Sequence, residues 1–237
     1  MKRFVLFVLM LFTVQFSFAQ DKSANELFYN MREKLGSVKD YVADVKMKID
    51  ISFMRIPTLY GKLYFKSPDK MKLERNGGIS ILPKRSVNLT LNNLVPSGNA
   101  AVIAAGEDVL HGRKVHVIKV VPDNDANGIV LTKIWIDADR LLALRTETTT
   151  RDNGTISMDL QYGRYVNVSL PDKVTFYIDV KDFKVPKGVT MDYDGGESAV
   201  VKKDVTAKAK KGVIKIEYLN YKINTGLSDK IFEEGKN

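Results

Sequence analysis

Between Tyr41 and Phe53 every odd-numbered residue is apolar (Tyr41, Ala43, Val45, Met47, Ile49, Ile51, Phe53), while Asp44, Lys46, Lys48, Asp50 and Ser52 fill the even positions after Val42. A period of two sustained over so long a run predicts a strand with one dry face and one wet face. The pattern returns along the chain. Leu63 and Phe65 alternate with Lys62 and Lys66, and beyond Pro68 the residues Met71 and Leu73 alternate with Lys70 and Lys72. Ile156, Met158, Leu160 and Tyr162 form another stripe, as do Val174, Phe176, Ile178 and Val180. Further strands are predicted at 113–121, 130–136, 141–150 and 213–223, set apart by turn signals such as Asp152-Asn153-Gly154 and the run Asp123 to Gly128.

One segment has a different period. Ser23 and Glu26 have the spacing of a helix capping box, and Ala24, Leu27, Phe28, Met31 and Leu35 follow at intervals of three and four. Gly36 is the expected stop. Strands joined by short polar turns without intervening helices form an antiparallel meander, because parallel neighbours need long crossovers. A sheet of this many strands twists and curls, and its dry face needs a cover. The predicted architecture is mainly β: a strongly curved antiparallel sheet, a half-open β-barrel, with the amphipathic helix 23–35 across its mouth as a lid. No linker divides residues 20–237, which read as a single domain.

The first residues read as a leader. Lys2 and Arg3 precede an apolar run from Phe4 to about Phe16, and Ser17-Phe18-Ala19 offers the small residues that signal peptidase selects. Residues 1–19 are expected to be a cleaved signal peptide, since the run is too short for a membrane span. The chain has no cysteine, which excludes disulfides, thiolate metal sites, a cysteine nucleophile and the lipidated cysteine of a lipoprotein. The mature protein is therefore expected to be soluble and unlipidated. The formal charge of +9 suits anionic headgroups or an acidic protein surface, whereas nucleic acid is not an expected partner after export. Lysines concentrate at 202–211, where a basic loop or hairpin is predicted.

Catalytic signals are sparse. His111 and His116 are the only histidines, and five residues of extended chain send them to opposite faces. No nucleophile elbow, zinc motif or phosphate loop occurs. Asp192-x-Asp194-Gly-Gly-Glu hints at calcium, but an EF-hand register puts Gly196 and Lys203 where oxygen ligands belong. Asp137 and Asp139 could suggest an acid–base pair, yet a strand running into a turn accounts for them. No enzyme, metal or cofactor is expected; binding remains.

The apolar face suits an acyl chain. Burying about 16 carbons at about 0.8 kcal/mol per methylene gains on the order of 13 kcal/mol before association costs, and only an enclosed cavity collects most of it. Leu27, Met31 and Leu35 are the candidate lining of the lid. Met47, Ile49, Leu63, Phe65, Met71, Leu73, Met158, Leu160, Phe176 and Ile178 are the candidate walls, with methionines able to adapt to chains of differing shape.

The stretch YGKLYFKSPDKMKLE, residues 60–74, resembles the Gly-x-Leu-x-x-x-x-x-Pro-x-x-hydrophobic signature of the periplasmic lipoprotein-carrier (LolA-like) family. The blocks GEDVLHGRKVHVIKVVP, LTKIWIDADRLLALRTE, LPDKV and YKINTGLSDKIFE resemble that family's later blocks in the same order. The resemblance implies a half-open barrel with a helical lid. It also implies a periplasmic carrier or chaperone that holds the acyl chains of lipoproteins and moves them from an inner-membrane donor towards an outer-membrane acceptor, working as a monomer. A sensory module using the same fold to detect lipids or mislocalised lipoproteins through a protein partner is the alternative. The family carries an arginine immediately before the motif proline, where it bonds the lid; here Lys66 and Ser67 precede Pro68. Lysine brings charge but not the planar fork of a guanidinium.

Overall fold

The computed structural model describes residues 23–51, 54–55, 57–75, 95, 98–124, 128–151, 154–179 and 211–233. Helix α1 spans 23–35, as the spacing of its apolar residues predicts. It ends without a left-handed residue: the Gly36 amide still donates to Arg32 O at 2.9 Å, and the Ser37 hydroxyl donates to Lys34 O at 2.7 Å. No described helix is long and apolar enough to cross a membrane.

Strands β1 (Asp40–Ile51), β2 (Met54–Arg55), β3 (Leu59–Lys66) and β4 (Lys70–Arg75) are followed by β5 (Ala100–Leu110), β6 (Arg113–Pro122) and β7 (Ile129–Asp137). After these come β8 (Leu142–Thr150), β9 (Gly154–Gln161), β10 (Lys173–Asp179) and β11 (Lys211–Ile223). All belong to one antiparallel sheet ordered β4-β3-β1-β11-β10-β9-β8-β7-β6-β5, with β2 paired to β1. β4 and β5 form its two edges and do not pair, so the sheet is unclosed among the described residues. Among the described residues this is the half-open barrel with one α-helix that the periodicity predicts.

Two chain ends meet in the middle of the sheet. β11 lies between β1 and β10, so residues 211–223 join the first hairpins to the later meander. Beside this seam the buried Asp40 carboxylate accepts from the Thr225 and Gly226 amides at 2.8 and 3.0 Å, and Asn224 Oδ1 accepts from the Lys39 amide at 2.7 Å. These bonds anchor the tail that leads to a 3-10 turn, Asp229–Phe232.

β5 is a strand that the periodicity does not predict. Its sequence, AAVIAAGEDVL, is rich in alanine, and the register with β6 slips between Ala104 and Glu107 around Gly106, whose φ is 99°. The bulge breaks the alternation, and pairing with β6 rather than local propensity holds the strand. β6 follows through a two-residue turn in which His111 and Gly112 both have positive φ, at 52° and 73°. That is the hairpin geometry whose twist matches the strands. The expected signal peptide at 1–19, the Asp192–Glu197 cluster and the basic stretch up to residue 210 lie outside the described residues.

Candidate ligand-binding face

Register places the apolar alternation of β4, β3, β1, β11, β10 and β9 on one side of the sheet, whereas β6–β8 bury residues on both faces, with Val115, Val117, Trp135, Leu142 and Leu144 clustered on the opposite one. Met71 faces Phe65, Phe65 faces Tyr41, and Leu73, Leu63 and Ala43 line up behind them. Met47 pairs with Ile216, Ile216 with Val174, Val174 with Leu160; Ile214 pairs with Phe176, and Phe176 with Met158. The stripe read from single strands therefore becomes a continuous apolar wall across β4, β3, β1, β11, β10 and β9.

Met47, Leu63, Phe65, Met158, Leu160 and Phe176 are buried in one cluster, and Ile49, Met71 and Leu73 are half-buried against it. Ile178 lies in β10 opposite Gly212, but its side chain is outside the described residues. Tyr41, Val45, Ile216, Tyr218 and Tyr221 complete the wall and are missing from the candidates chosen by polarity, because a tyrosine carries no sign in sequence of which end it buries.

One end of this wall is sealed by aromatic rings. Tyr41 stacks on Phe65 and meets Tyr221 edge-on, Tyr218 stacks on Tyr221, and Tyr165 closes on Tyr221 at 4.9 Å between centroids. The Tyr221 hydroxyl donates to Pro171 O at 2.8 Å. Burial holds the phenols of Tyr41, Tyr218 and Tyr221 well above their ordinary range, so these rings stay neutral. At the opposite end, where Ile49 pairs with Ile214, both side chains are only half-buried. The wall is thus closed at the tyrosines, while Ile49, Ile214, Met71 and Leu73 along it are half-buried.

Helix α1 lies on the other half of the sheet. Ala24, Phe28 and Met31 pack with Val102, Ile118, Val120, Ile134, Ile136 and Ala143 from β5 to β8, with Leu27 half-buried beside them. Leu35 is buried at the helix end but belongs to neither cluster. The lid and wall residues predicted together are therefore divided between two apolar compartments. Phe28, fully buried, is the helix's main anchor and was not among the predicted lining residues. The helix spacing already contained the signal.

Between the compartments runs a row of buried threonines. Thr132 pairs with Thr148 across β7 and β8, their hydroxyls 3.3 Å apart, and Thr146 sits between Ile134 on β7 and Met158 on β9. All three are fully buried.

The motif residues Lys66, Ser67 and Pro68 stand at the β3–β4 turn, joined by a cis Ser67–Pro68 bond. Among the described residues the Lys66 side chain reaches the C-terminal turn rather than helix α1. Lys66 Nζ donates to Leu227 O at 2.8 Å and pairs with Asp229 at 2.7 Å, Lys70 joins Asp229 at 3.1 Å, and the Ser67 amide donates to Lys39 O at 2.8 Å. The turn is clasped to the C-terminal 3-10 turn, beside a polar cleft of about 550 Å³ lined by Asp69, Lys70, Met71, Asp229, Phe232 and Glu233.

The residues weighed for chemistry separate. Asp137 is buried and bridges Arg113 and Arg140, whereas Asp139 is exposed in the following turn. His111 sits in the β5–β6 turn, and His116 lies on β6, 3.9 Å from Glu107. Among the described residues no three acidic or histidine side chains are grouped to hold a metal.

The same architecture occurs in solved structures. A domain assigned as an outer membrane lipoprotein-sorting protein from Vibrio parahaemolyticus superposes with a TM-score of 0.55 at 10% identity, over 90% of this chain and 97% of that one. A DUF1329 family protein from Desulfovibrio piger gives 0.55 at 15% identity with the same coverage, and a LolA superfamily protein from Nitrosomonas europaea gives 0.49 at 8%, over 89% and 97%. No protein-family model and no curated protein matches the sequence. The chain shares its fold with the Vibrio and Desulfovibrio proteins: among the described residues, one large unclosed antiparallel sheet with one α-helix on its apolar face.

Proposed function

We propose that this protein is a periplasmic, non-enzymatic carrier that binds the acyl chains of lipoproteins against the apolar face of its sheet and passes them from an inner-membrane donor to an outer-membrane acceptor. The observation that carries the reading is the continuous apolar wall over six adjacent strands, closed by tyrosines at one end. Such a wall on an unclosed sheet can collect the hydrocarbon burial that gives lipid binding its strength. Further support comes from the lipoprotein-sorting assignment of one fold neighbour. In this reading α1, whose apolar stripe covers only the β5–β8 half, is the movable cover, and the Lys66–Asp229–Lys70 clasp replaces the family's arginine contact at the motif turn.

The test is native mass spectrometry of the protein exported with its leader into a Gram-negative periplasm and purified without detergent, followed by solvent extraction. Acylated peptide or lipid at near-stoichiometric amounts is the expected result. A clean protein mass, together with no uptake of an added diacylated lipopeptide, overturns the reading. Phe65→Glu places a charge in the wall and should abolish uptake, whereas Lys62→Glu on the wet face should leave it unchanged. Equal effects of the two would mean that the wall is not where the ligand sits.

A further inference from the structure

The row of threonines raises a question that an apolar cavity alone does not answer. β-Branched residues suit these strand positions, and valine would fill them without a polar atom. Thr132 and Thr148 satisfy one another across the strands. Thr146 does not: its hydroxyl is fully buried and has no hydrogen-bond partner among the described residues. Register puts it on the apolar face, with Ile134 on one side and Met158 on the other, so it lies where the compartment under α1 meets the six-strand wall. A sealed, unpartnered hydroxyl costs stability, and a protein that keeps one has a polar atom waiting for a partner that arrives with something else.

We infer that Thr146 is a polar subsite in the cavity wall that donates a hydrogen bond to the ester or amide carbonyl of an acyl ligand. The inference rests on the carrier reading above and deepens it. Hydrocarbon supplies affinity without register, because one methylene is like the next; a single donor at a fixed depth sets how far the chains enter. With the carbonyl at Thr146, chains can run over Met158 and Phe176 towards the tyrosine-sealed wall or over Ile134 beneath the helix. α1 packs on Ile134 in the strand beside Thr146, so lifting the helix is the movement that uncovers the hydroxyl. Diacylated lipopeptides and phospholipids both carry such carbonyls, and the chemistry recognised is the same in each.

The experiment compares matched ligands that differ only in the carbonyl: a diacylated lipopeptide and its dialkyl ether analogue, and a short-chain phosphatidylglycerol and its dialkyl ether analogue. Each is titrated by native mass spectrometry against wild type, Thr146→Val and Thr146→Ser. Thr146→Val should raise the thermal midpoint of the ligand-free protein by about 2 °C, because it removes an unsatisfied hydroxyl. It should weaken ester ligands by about fivefold, the net worth of one hydrogen bond, and leave the ether analogues unchanged. Thr146→Ser keeps the donor and should bind as wild type does, and the serine–alanine pair replaces the valine variant if that fails to fold. The ligand pair that shows the carbonyl dependence identifies the source. Equal changes for ester and ether, or none, overturn the subsite while leaving the carrier reading intact. Wild type binding none of the four ligands removes both.

Discussion

Asp137 is the residue whose role the sequence leaves most open. It ends β7 with its carboxylate almost wholly buried, between the guanidinium groups of Arg113 and Arg140. Burial alone would push its pKa up, but the hydrogen bonds from the two arginines outweigh it and hold the carboxyl below its ordinary value of 3.8. A depressed folded-state pKa adds stability above the unfolded value, and that stability is lost as pH falls through the folded one. Asp137→Asn should therefore cost about 2 kcal/mol at neutral pH. The urea-unfolding curves of variant and wild type should converge as the pH falls through the depressed folded-state pKa of Asp137, below which both side chains are neutral. A gap that persists unchanged at low pH would mean that shape rather than charge is at work. Asp137 and Asp139, two apart, look alike in sequence; only the turn that buries one and exposes the other separates their roles.

At the scale of elements, α1 was legible because a period of 3.6 with a capping-box start has few other readings. Its docking place was not, since nothing in 23–35 names β5 to β8 as its partner. Phe28 should carry most of that docking. Truncating a fully buried phenylalanine costs about 3 kcal/mol, so Phe28→Ala should speed amide exchange within 23–35 by roughly a hundredfold. Tyr29, 37% exposed on the neighbouring position, should give less than about a tenfold change when cut to alanine, in keeping with its smaller burial. Uniform acceleration across the whole sheet would contradict the helix being a separately opening cover. β5 is the opposite case, a strand invisible to periodicity because a bulge at Gly106 resets its faces and only β6 supplies its hydrogen bonds.

At the scale of the molecule, the pairing of β11 with both β1 and β10 holds the sheet together. Tyr41 pairs with Ile223 and Ile49 with Ile214, contacts between residues separated by most of the chain. A chain stopped before Lys211 should leave β1, β3 and β4 with nothing to join them to the meander, and circular dichroism should record no cooperative thermal transition. A sharp transition at the wild-type midpoint would show that β1 and β10 can pair without β11. Alternating residues by themselves determined that this chain forms an antiparallel sheet with an apolar face and an amphipathic helix to cover part of it, because the two periods are properties of local backbone geometry. Only the tertiary structure decided how the apolar stripes join into one wall, which compartment the helix covers, that Lys66 is tied to the C-terminal turn, and that Thr146 lies unpartnered between the compartments. Those outcomes depend on strand order and register, which arise from contacts between residues far apart in sequence and leave no local pattern to read.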